Sequence, residues 1–241
     1  VHEDRISSGS ELNPSDEPKN PEAGGTGDKK LIRPQGKARS QEISNPNRLR
    51  IIAGTARGKK LTSPDVYLRP MMAKVREALY STLVSMGFFG TGGNSETTSI
   101  LDLFAGSGSV GLEALSRGAG RAVFVDLSPV CTSSALQNAR DCRFSESSFQ
   151  AVTGSAFDVL RYPERFGLNG RFSIVSATPP YEEIIYSELI DCLCNSPLVG
   201  EDTIVVLEYP IEMGSLPHIL GEDKLFGIRN RRYGRTIRGQ C

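Results

Sequence analysis

Histidine is almost missing from this 241-residue chain, which has only His2 and His218. His2 lies in a polar tail and His218 follows a proline in a predicted loop. Neither is placed to ligate a metal or act as a general base, which sets aside metal centres and His-dependent catalysis. No apolar run approaches the roughly 18 residues that point to a membrane span. The five cysteines (Cys131, Cys142, Cys192, Cys194 and Cys241) are odd in number and form no CxxC pair. They argue against a disulfide framework and for a reducing compartment. Nor is there an excess of either charge, since 28 Lys and Arg balance 28 Asp and Glu.

The balance conceals a segregation. Residues 1–28 carry seven acids against Arg5 and Lys19, with Pro, Gly, Ser and Asn supplying most of the rest. Such a segment cannot bury enough apolar surface to offset its ordering entropy, so residues 1–47 are expected to be a disordered or linker segment, acidic then basic. It has no apolar stretch for a signal peptide and is too acidic for a transit peptide. The first residue is Val1 rather than Met, which fits a chain from which an upstream segment has been removed. Residues 29–76 hold thirteen bases against two acids, Glu42 and Asp65, and residues 224–238 add six bases and no acid. Basic blocks of this kind are the footprint of a polyanion binder, because each neutralised phosphate releases counterions.

Periodicity predicts a short strand over 48–53, a turn over 54–58 and a helix over 74–86, with Val75, Leu79 and Leu83 on one face. After a Gly-rich linker, strands are expected over 100–104, 122–126, 150–153, 172–177 and 203–208. Helices are expected over 110–117, 129–142 and 182–194. Strands that are apolar throughout and alternate with helices specify an α/β fold with a parallel sheet covered on both faces. The organisation expected is a linker over 1–47, an N-terminal polyanion-binding extension and helix over 48–97, and an α/β domain over 98–241.

Asp102-Leu-Phe-Ala105-Gly106-Ser-Gly108-Ser-Val-Gly111 joins the first of these strands to a helix and contains GxGxxG. Glycine lets the backbone turn sharply and lets a ligand approach without Cβ contact. Asp126 ends the next strand, where a carboxylate can accept both hydroxyls of a ribose. Together they predict a nucleoside-containing cofactor. A dinucleotide would put its pyrophosphate at the helix N-terminus. S-Adenosylmethionine has no phosphate but carries an ammonium, and favours an acid at the start of the loop, where Asp102 stands. A P-loop would need Lys-Ser/Thr after the last glycine, and Leu112-Glu113 follow instead. A nucleophile elbow would need GxSxG, which is absent.

Thr178-Pro179-Pro180-Tyr181 follows the fourth predicted strand of this region. Two prolines remove two N–H donors and stiffen the backbone, leaving carbonyls as acceptors. Tyr181 offers a face for a planar base. An exocyclic amine on a flipped base suits this arrangement.

These residues, with Arg50-Ile-Ile-Ala-Gly-Thr-Ala-Arg57-Gly-Lys-Lys-Leu61, Leu68-Arg69-Pro70, Val75-Arg76-Glu77-Ala-Leu79 and Arg232-Tyr233-Gly234-Arg235-Thr236, resemble the RsmD-like small-subunit rRNA guanine-N2-methyltransferases and their plant organellar relatives. The resemblance covers roughly residues 48–238. It implies a Rossmann-like seven-stranded S-adenosylmethionine-dependent methyltransferase fold with a small N-terminal extension. It implies methyl transfer from S-adenosylmethionine to N2 of a guanine in small-subunit rRNA. The partner would be that rRNA or the assembling subunit, with neither metal nor membrane. Asp102, Ala105, Gly106, Gly108, Asp126 and Ser155 would bind the cofactor. Thr178, Pro179, Pro180 and Tyr181 would form the catalytic grip on the base, and Arg50, Arg57, Arg69 and Arg76 would contact RNA or brace the site.

The chain departs from the family pattern at several points. Thr178 stands where Asp or Asn is usual before Pro-Pro-Tyr, and its hydroxyl accepts more weakly than a carboxylate and cannot take a proton at neutral pH. Ser155 replaces the acid expected to meet the adenine amine, and Met71 replaces a Thr. The last residues, Thr-Ile-Arg-Gly-Gln-Cys, read as a short or altered final strand. Two alternatives accompany the main reading: a weak or inactive relative that binds rRNA as an assembly factor, and a methyltransferase acting on adenine N6. Likeness to the plant forms favours a chloroplast location over a bacterial-type cytoplasm.

Overall fold

The computed structural model describes residues 49–66, 70–90, 95–181, 183–221, 224–233 and 236–240. The expected linker over 1–47 lies outside them. The first described helix is α1, Ala73–Ser85. The sheet begins with β1 (Ser99–Leu103), followed by α2 (Ser109–Ser116), β2 (Arg121–Asp126), α3 (Pro129–Asp141) and β3 (Phe149–Thr153). Then come α4 (Ala156–Arg161), β4 (Ile174–Ala177), α5 (Tyr186–Asn195) and β5 (Ile204–Pro210). Two short strands, β6 (Ile219–Leu220) and β7 (Leu225–Phe226), pair with each other, and β8 (Arg229–Tyr233) and β9 (Thr236–Gln240) end the chain.

The sheet order is β3-β2-β1-β4-β5-β9-β8. The first five strands are parallel, with Asp102 opposite Phe124 on one side and Ser176 on the other. Period-two alternation sends Ile100, Ala122, Phe124, Ile174 and Val206 to one face, under α1, α2 and α3. It sends Leu101, Leu103, Val123, Val125, Val175 and Leu207 to the other, under α4 and α5. Both faces are covered by helices, so the central strands are mainly apolar on both sides, broken by Asp102 in β1, Ser176 in β4 and Glu208 in β5. The chain reverses direction across the sheet between β1 and β4. In open α/β sheets, ligands gather at the carboxyl ends of the strands beside such a switch point.

Several boundaries differ from the sequence expectation. Residues 48–53 make no strand among the described residues, and Arg50 forms only an isolated bridge to Lys60. The chain turns back at once, and the N–H groups of Ile52 and Ala53 go to the Glu113 carboxylate at 2.8 and 3.0 Å instead of to a ladder. The strand expected over 172–177 starts at Ile174, because the Phe172 N–H is bonded to the Leu198 carbonyl. The helix expected over 182–194 starts only at Tyr186, after a turn in which the Glu183 N–H meets the Pro180 carbonyl. Helix α4 was not expected. The final strand spans Thr236–Gln240 and pairs antiparallel with β5 and β8.

Residues 49–90 share a core with the sheet. Ile51, Leu61, Met71, Val75 and Leu83 pack in the same buried cluster as Leu112, Phe124 and Ala135. The Gly54 turn lies against α2 so closely that a Cβ would sit 1.7 Å from the Ser116 carbonyl oxygen. Gly54 also has φ +83°, so its lack of a side chain is required twice.

Candidate active site

The loop after β1 is held mainly by carboxylate–amide bonds. Asp102 is 1% exposed, and its Oδ2 accepts from the Gly111 N–H at 2.9 Å. Its Oδ1 is buried and finds no hydrogen-bond partner. Burial is the main cause that raises its carboxyl pKa to about 7; the Asp126 charge adds to this, and the Gly111 N–H and Arg76 oppose it. Asp126 is half-buried at the end of β2. Its Oδ2 accepts from the Gly106 N–H at 2.8 Å and its Oδ1 from the Ser128 N–H at 2.9 Å. The two bonds fix the carboxylate while each oxygen keeps a second acceptor position. The Ala105 N–H reaches the Val125 carbonyl at 2.9 Å, tying the loop to β2.

The glycines fit a cradle. Gly106 and Gly108 have φ +55° and +77°, and a Cβ at Gly108 would sit 2.9 Å from the Ala135 Cβ. A Cβ at Gly111 would sit 2.6 Å from the Phe124 ring, so Gly111 permits α2 to lie on β2. Ser155 is half-buried at the start of α4, beyond the end of β3, and the preceding Gly154 N–H bonds to the Asp126 carbonyl. Asp102, Ala105, Gly106, Asp126 and Ser155 thus follow one another along the carboxyl ends of β1, β2 and β3.

The second loop follows β4. Pro179 is buried, Pro180 exposed, and Thr178 and Tyr181 half-buried. The Tyr181 hydroxyl donates to Glu208 Oε1 at 2.7 Å, and the Tyr186 hydroxyl donates to the Glu208 carbonyl at 3.3 Å. The Tyr181 ring packs against the core on the α4–α5 face. Burial, followed by the Tyr181 and Glu208 groups, raises the Tyr186 phenol above its ordinary range.

Of the expected RNA-contacting arginines, Arg50 and Arg57 are exposed on the turn that leans on α2. Arg69 lies outside the described residues. Arg76 is fully buried, which corrects the expected contact with RNA and leaves the other expected role, bracing. Its Nη1 and Nη2 donate to the carbonyls of Met71 and Arg50, and its Nε stands 3.6 Å from Glu113, an ion pair beyond hydrogen-bond length. Burial lowers its pKa, and Glu113 is the first of the groups that oppose this. Arg76 braces the turn that carries Arg50 and Arg57.

Three residues went unnoticed in the sequence. Glu113 is fully buried on α2, where it accepts from Ile52, Ala53 and Arg117. Asn138 is fully buried on α3; its Oδ1 accepts from the Thr62 N–H, and its Nδ2 donates to the Thr62 and Ser107 carbonyls at 2.9 and 3.0 Å. Glu208 interrupts the apolar run of β5. Glu113 and Glu208 are polar letters inside segments otherwise patterned for burial, and that contrast was the available signal; Asn138 sits in a helix rich in polar residues and had no such signal.

This geometry has relatives. The family model described as Conserved hypothetical protein 95 matches residues 49–238. The chain belongs to this RsmD-like family. It is 29% identical over 172 residues to the Ribosomal RNA small subunit methyltransferase D of Haemophilus influenzae, covering 70% of this chain and 83% of that one. It is 28% identical over 204 residues to the protein of the same name from Escherichia coli, covering 82% and 95%. Among solved structures, a candidate methyltransferase from Escherichia coli superposes with TM-score 0.63 at 26% identity, covering 80% of this chain and 96% of that one. A hypothetical protein of Thermus thermophilus gives TM-score 0.63 at 29% identity, covering 79% and 97%. The five parallel strands with their flanking helices are therefore an α/β methyltransferase fold.

Proposed function

We propose that the protein transfers a methyl group from S-adenosylmethionine to the N2 amine of a guanine in small-subunit rRNA, using a seven-stranded sheet for the reaction and the N-terminal extension for RNA. The observation that carries the cofactor reading is the orphaned Oδ1 of Asp102. A buried carboxylate oxygen without a donor suits an ammonium, which is what the amino-acid end of this cofactor carries. Asp126, already aligned by two amides, is suited to ribose hydroxyls. Ser155 stands at the next strand end, towards the base of the nucleoside. Bound there, the cofactor supplies an electrophilic methyl on a sulfonium.

The chain's own residues then orient the nucleophile. The Thr178 hydroxyl and the Pro179 carbonyl accept from the exocyclic amine, Pro180 stiffens the loop, and Tyr181 supports the base plane. Thr178 cannot hold a full proton, so the amine proton leaves to solvent. The exposed bases Arg50, Arg57, Lys59 and Lys60 meet the RNA backbone. The names of the relatives support rRNA of the small subunit as substrate.

Thr178 also favours a second reading, a binding-only assembly factor, because a hydroxyl polarises the amine less than a carboxylate would. Incubating the protein with radiolabelled S-adenosylmethionine and unmodified small subunits, then separating the nucleosides, decides among these. Label in N2-methylguanosine is the expected result. Label in N6-methyladenosine would retain the enzyme and replace the base. Cofactor and rRNA binding without any label would leave the assembly factor.

A further inference from the structure

Two tyrosines bracket the loop after β4, and one residue of β5 takes both hydroxyls. The Tyr181 hydroxyl donates to Glu208 Oε1 at 2.7 Å. Tyr186, the first residue of α5, donates to the Glu208 main-chain carbonyl. Glu208 is paired with Arg238 of β9 and directly follows Leu207, the last residue of β5 paired with β4. The described residues among 178–185 form no strand or helix, and the two prolines cannot donate to a ladder. The loop's geometry is therefore borrowed from the sheet through side chains 27 residues apart in sequence.

We propose that Glu208 is a positioning residue that sets the orientation of the Tyr181 ring and so determines how the target base is presented. The proposal rests on the reading of the loop as the base-holding end of the cleft. With only a hydroxyl at position 178 to polarise the amine, presentation carries a larger share of the rate. A carboxylate oxygen of Glu or the single amide oxygen of Gln can accept from the Tyr181 hydroxyl, so the role needs an acceptor at position 208 and not a negative charge.

The experiment compares Glu208→Ala, Glu208→Gln, Tyr181→Phe and the Tyr181→Phe/Glu208→Ala double variant in the full chain, with thermal unfolding and cofactor titration as controls. Saturating methyl transfer to unmodified small subunits is expected to slow about ten- to hundredfold in Glu208→Ala, as a misplacement of about 1 Å can do. Cofactor affinity should stay within about twofold, and Glu208→Gln should recover most of the rate, since its amide oxygen still accepts. The double variant should be no slower than the slower single variant, because both remove one bond. A wild-type rate in Glu208→Ala, a Glu208→Gln as slow as the alanine variant, or a double variant whose defect is the product of the single ones would each overturn the proposal. If the wild-type protein labels no nucleoside, the proposed activity fails and the positioning role is decided by affinity for small-subunit rRNA. Glu208→Ala and Tyr181→Phe should then each weaken binding about fivefold, the lower end of what a base–aromatic stack contributes. Unchanged affinity in both would overturn it.

Discussion

The two loops that rim the cleft are fastened in opposite ways. After β1, the backbone donates: the N–H groups of Gly106 and Gly111 are taken by Asp126 at the end of β2 and Asp102 in β1. After β4, two prolines have no N–H to offer, and side-chain hydroxyls reach across to Glu208 on β5. A loop held by backbone amides is as firm as the fold around it. A loop held by side chains can be loosened without unfolding anything. Damage at the first should therefore register in cofactor affinity and stability, and damage at the second in rate.

The sharpest way to test this distinction is to unpin the N-terminal turn from α2, the helix that the first loop leads into. Glu113→Ala strips the Ile52 and Ala53 amides of their acceptor and leaves Arg76 buried without its partner. A loss of about 3–5 kcal/mol in denaturant unfolding is expected, the usual cost of breaking a buried pair from one side. Next, Thr178→Asp should act on rate with stability nearly unchanged. Restoring a strong acceptor should accelerate single-turnover methyl transfer by up to about 10²-fold, on the scale of one oxyanion-hole donor. A variant that transferred methyl no faster would show that acceptor strength at 178 does not limit the reaction.

Asp102→Asn should separate stability from binding within the first loop. The Asp102 pKa rises in the folded protein from its ordinary 3.8 to about 7, mainly through burial. Between those values the native state holds more protons than the unfolded chain, so this group's contribution to stability falls as pH rises from about 4 to 7. The uncharged Asn removes that slope and makes the cofactor-free protein more stable at pH 8. The same change should weaken cofactor binding about tenfold or more, the size of a lost hydrogen bond to a charged group. In the wild type, cofactor affinity should increase with pH up to about 7. Below that, binding should release a proton, detectable by calorimetry in buffers of different ionisation enthalpy. The smallest effect is expected at Arg57, exposed on the N-terminal turn. Arg57→Ala should lower the salt dependence of rRNA binding by about 0.7–0.9 in log–log slope, with no change in cofactor affinity.

The loop after β1 was readable because its signals are local. Asp102, Gly106, Gly108 and Gly111 fall within ten residues, and Asp126 ends the strand that follows. The placement of Arg76 was not readable. It shares a basic block with Arg57, and composition treats the two alike, yet Arg57 faces solvent and Arg76 is enclosed by the Met71 and Arg50 carbonyls and Glu113. The expected strand over 48–53 failed for a related reason. Ile51 is buried and its N–H reaches the Lys59 carbonyl, but the Ile52 and Ala53 N–H groups go to the Glu113 carboxylate, 61 and 60 residues away, and not to a strand. Glu208 was passed over because a single acid in an apolar strand has no local partner to announce its role.

The sequence by itself determined the alternation of strands and helices, the Gly loop and its two acids, and the Pro-Pro-Tyr turn. Those features depend on backbone preferences and on side-chain periods that act within a few residues. Tertiary structure alone decided which charges meet solvent and which brace the interior. It brought Glu113 and Asn138 to hold the N-terminal turn, and Glu208 to hold Tyr181. Burying a charge or an amide is tolerable only where a partner is already in place. That partner is chosen by the packing of distant segments, not by its neighbours in the chain.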